Sequence, residues 1–333
     1  MHVRKVAYVV AVSVLGVAMT VAISVGPVIT APGDVLAALG RLLVGDPSPA
    51  DALITQIRLP RVLLAGLVGG ALAISGTAMQ AVFRNPLAEP GITGVGAGAA
   101  AVAVLVIVSG VSLAHPLLVP VGAFVGALAA TVAVHTLARR GPRASTSILL
   151  VGVAINSFLG AVISAAIANA PDAENARSAI FWLNGDLGGR TMSDVALVLA
   201  PVLVGSLGVA FHARELNLLG LGEATAQSAG MAVARVSHTV LAFAALATAG
   251  AVATTGVISF VGLVVPHLIR LIKGHNHTML LPGAFLAGAI FLIAADTVAR
   301  TVFTPVVLQT GTVTALVGAP FLLFLLTRRN VIR

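Results

Sequence analysis

VSHTVLAFAALATAGAVATTGVISFVGLVVPHLI, residues 236–269, contains no Asp, Glu, Lys or Arg. A bilayer's hydrocarbon core is about 30 Å thick, and about 20 apolar residues of helix cross it once. The stretch is too long for one such helix. Thr254-Thr255-Gly256 is its natural turn, so it divides into two segments, 236–255 and 257–272.

The rest of the chain supports that scale of reading. Of 333 residues, 58% are hydrophobic and 9% charged, and mean hydropathy is +1.07. A soluble domain carries about 25% charged residues, so a water-soluble globule is excluded. Disorder is excluded too, because disordered chains are poor in apolar residues. Eight further apolar segments lie at about 6–29, 62–82, 92–111, 117–137, 148–168, 195–212, 280–299 and 312–326. The fold class that follows is all-α: one polytopic transmembrane domain over 1–333, with about ten helices and no length left for a sizeable soluble domain. Arg4 and Lys5 before an apolar stretch, with Ala22-Ile23-Ser24 downstream, imitate a signal peptide. The uncharged run from Val6 to Gly33 exceeds the roughly 7–15 residues of a signal's apolar region, so a retained first helix is expected.

Charge sets the orientation. With the N-terminus inside, the inner segments hold 13 of the 19 Lys and Arg, among them Arg84, Arg139, Arg140, Arg143, Arg214, Arg235, Arg270, Lys273 and the tail Arg328, Arg329 and Arg333. Of the acids, only Glu89, Glu215 and Glu223 join them. Merging 236–255 with 257–272 would carry Arg270, Lys273 and the tail outside and erase the positive-inside bias. Both termini are therefore expected in the cytoplasm. Two sets of five spans would also permit an inverted repeat. Glycines four apart, Gly66/Gly70, Gly94/Gly98 and Gly122/Gly126, are the spacing by which helices pack closely in lipid.

The chemistry that is missing narrows the function. The net charge of +8 is dispersed between apolar runs rather than gathered on a solvated face, so no nucleic-acid partner is expected. Cysteine is absent, and the only lysines, Lys5 and Lys273, belong to no phosphate loop, so the chain cannot bind ATP in that manner. No zinc or serine-hydrolase motif occurs, and no catalytic residue is assigned. His267, His275 and His277 form no clear ligand set, and no metal site is expected. Asp296 is the acid that comes closest to the membrane interior, with Arg300 four residues on and able to pair with it. A bundle with no energy source of its own points to a pathway driven by a separate subunit.

Three regions have functional readings beside plainer ones. Arg58, Arg61 and Arg300 lie at outer span ends, either as headgroup-snorkelling cations or as fixed charges for an acidic partner. Arg84-Asn85-Pro86-Leu87-Ala88-Glu89-Pro90-Gly91 packs two prolines and a glycine into a tight inner turn. Residues 215–230 form an amphipathic, glycine-broken loop suited either to a partner's groove or to the lipid interface.

At these loops the chain resembles the FecCD-type permeases, the membrane subunits of ABC importers for iron–siderophores, haem and cobalamin. The resemblance rests on 84–95 and on Arg58-Leu-Pro-Arg61, Phe181-Trp-Leu-Asn-Gly185, Leu216-Asn-Leu-Leu-Gly-Leu-Gly-Glu223, Ile258-Ser-Phe-Val-Gly-Leu-Val-Val-Pro-His267, Ala295-Asp-Thr-Val-Ala-Arg300 and Gly311–Phe321, in family order. It implies a dimer with a second copy or paralogue in the bacterial cytoplasmic membrane. Two ATPase subunits, which would bind the ATP and Mg that this chain does not, are implied at the inner face, and an extracytoplasmic substrate-binding protein outside. By position, Arg58, Arg61 and Arg300 match the docking arginines. Asn85 and Leu87, with Thr146 and Ser147, match the cytoplasmic gate. Leu219, Gly220, Gly222, Glu223, Ala224 and Ala226 match the coupling loop, and Pro171–Leu183 a short helix at the outer mouth. The implied cargo is an iron chelate, siderophore or haem; cobalamin is the alternative, and an ion-coupled carrier using Asp296 a remoter one. Two departures stand out: Gly256-Val257-Ile258 replaces the family's Gly-Pro-Ile, and Asp186 replaces a small polar residue.

Overall fold

The computed structural model describes residues 2–46, 48–138, 144–303 and 306–327, without the side chains of 2–7, 144–146, 325 and 326. Arg4 and Lys5 as side chains, and Arg139, Arg140, Arg143, Arg328, Arg329 and Arg333 altogether, lie outside the described residues. Every regular element among the described residues is helical. In chain order they are α1 (His2–Ser24), α2 (Pro32–Val44), α3 (Leu59–Val82), α4 (Val95–Val108), α5 (Leu118–Ala138), α6 (Ala144–Ala168) and α7 (Ala173–Leu183). There follow α8 (Met192–Phe211), α9 (Ala213–Gly220), α10 (Glu223–Ser228), α11 (Val233–Thr255), α12 (Val261–Lys273), α13 (His277–Thr301) and α14 (Thr310–Thr327). Six helical stretches are long and apolar enough to cross a membrane, and Tyr8–Ser24, Val95–Val108 and Thr310–Phe324 are shorter apolar helices.

α3 is the axis. Helical turns from Pro49 lead into it, including a π-type turn over Leu53–Arg58, and it packs against α13, α11, α8 and α12. Its fully buried residues include Leu64, Val68, Ala71 and Met79. Its buried polar side chains are satisfied across the bundle: Ser75 donates to the Ala244 carbonyl at 3.0 Å and Gln80 to the Gly262 carbonyl at 3.2 Å. Small residues bring the backbones together, though not in the register the sequence indicates. Gly98 meets Gly126, but on α3 the tightest approaches are Gly69 to Gly288 and Gly76 to Gly262, while Gly66 has room for a side chain.

α11 ends at Thr255 and α12 begins only at Val261. Gly256 turns the chain at φ 72°, and residues 257–260 run without helical structure. Thirteen helical residues rise only about 20 Å, which is short of a crossing; the non-helical stretch supplies the remaining length. Such backbone is tolerated at membrane depth only where protein covers it. Ile258 is accordingly buried, and Gly256 and Gly311 press against the Trp182 and Asn184 carbonyls. α4 is built the same way, a short helix entered from the buried turn Pro90–Thr93.

Two helices have large uncovered apolar surfaces. Only 11% of the apolar window of α6 is buried, and Leu150, Val153 and Phe158 are exposed. α14 likewise exposes Leu316, Val317 and Leu323. α2, which sequence reading left inside an outer loop, is an amphipathic helix. It starts at Pro32 and stops at left-handed Gly45. Arg41 anchors it by two hydrogen bonds to Asp51, at 2.8 and 2.7 Å.

Candidate functional site

At one end of the bundle Arg61 and Arg300 do come together around one carboxylate, Asp296, with Arg58 beside Arg300. Arg61 grips Asp296 through Nε at 3.0 and 3.1 Å and through Nη2 at 2.8 Å. Thr310 donates its hydroxyl to the same carboxylate at 2.9 Å. Arg300, one helical turn from Asp296, lies 3.5 Å away from it. The closer partner of Asp296 is thus Arg61 rather than Arg300. That pairing joins α3 to α13 across the core and is invisible to helical spacing.

The other guanidinium nitrogens serve a helix end. The last carbonyls of an α-helix lack partners and carry partial negative charge. Arg58 donates to the Ile23 and Ser24 carbonyls at 2.6 and 3.2 Å, to the Thr30 hydroxyl at 3.0 Å, and to the Val28 carbonyl. Arg300 donates to the Ala22 and Val25 carbonyls. The end of α1 and the loop after it therefore wrap over Arg58 and Arg300, which are only 5% and 7% exposed. Asp296 serves Arg61 and Arg300, Asp186 adds its field at Arg61, and Arg58 is met by carbonyl and hydroxyl dipoles alone. Removing one partner of a buried pair costs about 3–5 kcal/mol, because the other charge is left uncompensated.

The turn after α3 is a rigid object. The Asn85 side chain accepts from Leu87 N at 2.9 Å, Asn85 N donates to the Gln80 carbonyl, and Ala88 N to the Asn85 carbonyl. Leu87 is 39% exposed. Glu89 points inward and accepts from the backbone N–H of Phe260; burial pushes its carboxyl pKa up, and that hydrogen bond pulls it partly back. α6 leans on the turn: Asn156 donates to the Gly91 carbonyl at 3.0 Å, and Gly152 has backbone contact with Ile92. Ser147 is half-buried on α6; the Thr146 side chain lies outside the described residues.

α9 and α10 form a hooked pair at the opposite end, where α13 begins. Leu216, Leu219 and Ala226 are buried beneath it, while Gly220, Leu221, Glu223 and Ala224 are exposed and Gly222 is half-buried. Gly222, at φ 113° and ψ 149°, makes the break between the two helices in backbone space open almost only to glycine. Leu219 and Ala226 are therefore anchors, and the surface the hook offers comes from the residues between them. Asn217, which sequence reading passed over, fastens the hook to α13: its side chain accepts from His277 N at 2.8 Å and donates to the Asn276 side chain at 3.1 Å. Among the described residues no group of His, Asp and Glu side chains could hold a metal ion.

The profile of the FecCD transport family matches residues 14–328. The chain is 44% identical over 279 residues to the hemin transport system permease protein HmuU of Yersinia pestis, covering 83% of each. It is 42% identical over 309 residues to the cobalamin import system permease protein BtuC of Halobacterium salinarum, covering 90% of this chain and 80% of that one. Among solved structures, an inward-facing metal-chelate type ABC transporter superposes with a TM-score of 0.83 at 29% identity, covering 94% of this chain and 96% of the other. With this breadth of match, and with apolar helices throughout, the chain belongs to the FecCD transport family and is a multi-pass membrane permease of the ABC-importer type.

Proposed function

We propose that the chain crosses the bacterial cytoplasmic membrane ten times with both ends inside, and works in a dimer that imports an iron chelate, siderophore or haem, by alternating access. The observation that carries this is the α9–α10 hook: apolar anchors below, an exposed apolar and acidic rim above, and a direct tie to α13. In a chain without a nucleotide-binding loop, it is the feature suited to receive work from outside. Two ATPase subunits would seat on the two hooks. The exposed apolar faces of α6 and α14 would meet a second permease copy or a paralogue, with the path between them. Asn85, Leu87, Thr146 and Ser147 would close its inner end.

The outer cluster supports docking of an acidic binding protein. Arg61, the most accessible of the three at 16% side-chain exposure, is the one placed to meet a partner's carboxylate, while Arg58 and Arg300 lie beneath the end of α1. Asp296, held by Arg61 and Thr310, has the geometry of a structural anion, which disfavours the ion-coupled carrier. Cobalamin is the second reading for the cargo, favoured by the Halobacterium relative's name.

Proteoliposomes carrying this chain, its ATPase and its binding protein test the proposal. ATP-dependent uptake of a ferric chelate or haem is expected; ATP-dependent uptake of cobalamin alone would select the second reading. Accumulation without ATP would overturn the driven-conduit mechanism. Charge reversal at Arg58 and Arg61 should weaken binding-protein capture, more at low salt than at high, and unchanged capture would remove the docking role.

A further inference from the structure

α2 has three faces, and one of them is left uncovered among the described residues. At about 3.6 residues per turn, Val35, Ala38 and Leu39 share one side. Val35 and Ala38 are fully buried, and they join Ala22 and Ile23 of α1 in one apolar cluster, with Leu39 packed against it. Asp34 and Arg41, two turns apart, make a narrow polar edge. Leu36, Gly40 and Leu43 form the third side by their i, i+4, i+7 spacing, and Val44 continues it. This side holds no charged residue, and Leu36, Leu43 and Val44 are 61%, 89% and 82% exposed.

Both ends of α2 are fastened to the bundle, so the third side is held in place. Before the helix, the Val28 carbonyl and the Thr30 hydroxyl accept from Arg58, and Thr30 N donates to the Ser24 carbonyl at 3.0 Å. Near its end Arg41 grips Asp51, which is only 3% exposed. α2 therefore stays beside the last turns of α1. Within about two turns of its end, α1 still turns Val17 and Val21 outward, and in a membrane permease such residues meet acyl chains. The 13 residues of α2 reach about 20 Å, too short to cross a bilayer. A short amphipathic helix held at that depth suits the boundary between headgroups and acyl chains. An acidic protein drawn to the arginines would find neither charge nor side-chain donor on this side.

We propose that α2 is an interfacial helix whose Leu36, Leu43 and Val44 insert among the phospholipid chains of the leaflet at the arginine end, with Asp34 and Arg41 at headgroup level. The partner of this surface is the bilayer itself. The assignment requires only that the chain sits in a membrane; neither the cargo nor the ATP-driven mechanism enters it.

The chain contains no cysteine, so single-cysteine variants carry one label each. Leu36→Cys, Leu43→Cys and Asp34→Cys are spin-labelled in the full chain and reconstituted in phosphatidylcholine nanodiscs. Power saturation is then measured with oxygen, which partitions into lipid, and with a water-soluble nickel chelate. Labels at positions 36 and 43 should favour oxygen and report a depth of roughly 5–10 Å below the headgroup boundary, while the label at position 34 should favour nickel. Adding Leu36→Asp to the Leu43→Cys variant should shift its label toward water. If one variant fails to fold, Val44→Cys takes its place with the same expectation. Nickel contact at 36 and 43 equal to that at 34 would put this side in water and overturn the assignment. Labels shielded from both reagents would overturn it as well, since protein and not lipid would then cover them; dipolar broadening between labels would identify that cover as a second copy.

Discussion

The chain leaves its helices twice in mid-bundle, between α3 and α4 and between α11 and α12, and the two breaks solve one problem with different residues. Each short helix is entered from a left-handed residue: Gly94, at φ 82°, before α4, and Phe260, at φ 69°, before α12. Glycine adopts that conformation without cost, whereas a bulky residue is strained by about 1–2 kcal/mol. At Phe260 the strain coincides with tight packing, because the Phe side chain fills the space left by Gly318. Glu89, which belongs to the first break, accepts the Phe260 N–H of the second. Each break also holds a left-handed residue other than glycine: exposed Arg84, at φ 49°, in the polar first break, and Phe260 in the apolar second, where neighbours pack against it. A strained backbone persists only where the surroundings over-determine it: at Phe260 these are tertiary contacts with Gly318, and at Arg84 the local hydrogen bonds of its own turn.

The largest effect expected from that contrast is at Gly76, where a Cβ would lie 1.9 Å from the Gly262 carbonyl oxygen. Gly76→Ala should separate α3 from α12 and cost about 3 kcal/mol or more, read as loss of monodisperse protein or as a large fall in thermal midpoint. A neutral outcome would mean that α12 can shift freely, and the over-determined picture would fail. Next are the two left-handed residues. Gly94→Ala meets nothing closer than 3.3 Å, so its cost should be that of backbone strain, about 1–2 kcal/mol. Phe260→Gly relieves strain but empties the space against Gly318, and should be the worse of the two by about 1–2 kcal/mol. If Phe260→Gly were the milder, packing would not be what holds the second break.

The smallest effect concerns Glu89. A carboxyl whose folded pKa is raised binds its proton more tightly in the native state. Its contribution therefore favours folding as pH falls through that pKa and opposes it as pH rises. Glu89→Gln keeps an acceptor for Phe260 N–H and removes the charge. It should raise stability at pH 7 by about 1 kcal/mol or less and flatten the profile between about pH 4 and 7. Thermal melts across that range would show it; a steeper profile in the variant would contradict the burial cost.

These breaks also mark how far the sequence could be read. Arg84–Gly91 is visible as a turn because prolines, glycine and charge interrupt an apolar run. The second break carries only Thr254-Thr255-Gly256 as a signal, and nothing marks residues 257–260 as non-helical, because their burial makes them as apolar as the helix that follows. Glycine spacing identified Gly98 and Gly126, yet missed Gly69 and Gly76, since contact depends on which face of α3 meets α13 and α12. The cluster of Arg58, Arg61 and Arg300 was legible as charge at outer span ends. That Arg61 would take Asp296, and that Arg58 and Arg300 would be covered by the end of α1, are long-range matters that local periodicity does not carry. α2 had its Pro32 start and Gly45 stop in plain view, but the apolar segments on either side outweighed them.

α13 begins at the Asn217 latch and ends at Asp296 and Arg300. Its 25 residues make a shaft of roughly 37 Å, with its internal proline, Pro282, near the start as a point where a helix bends readily. If the hook is where a partner pushes, as proposed, the push would need no loose intermediate to reach the far pole, and the stiffness of α13 at Pro282 would set how much of it arrives.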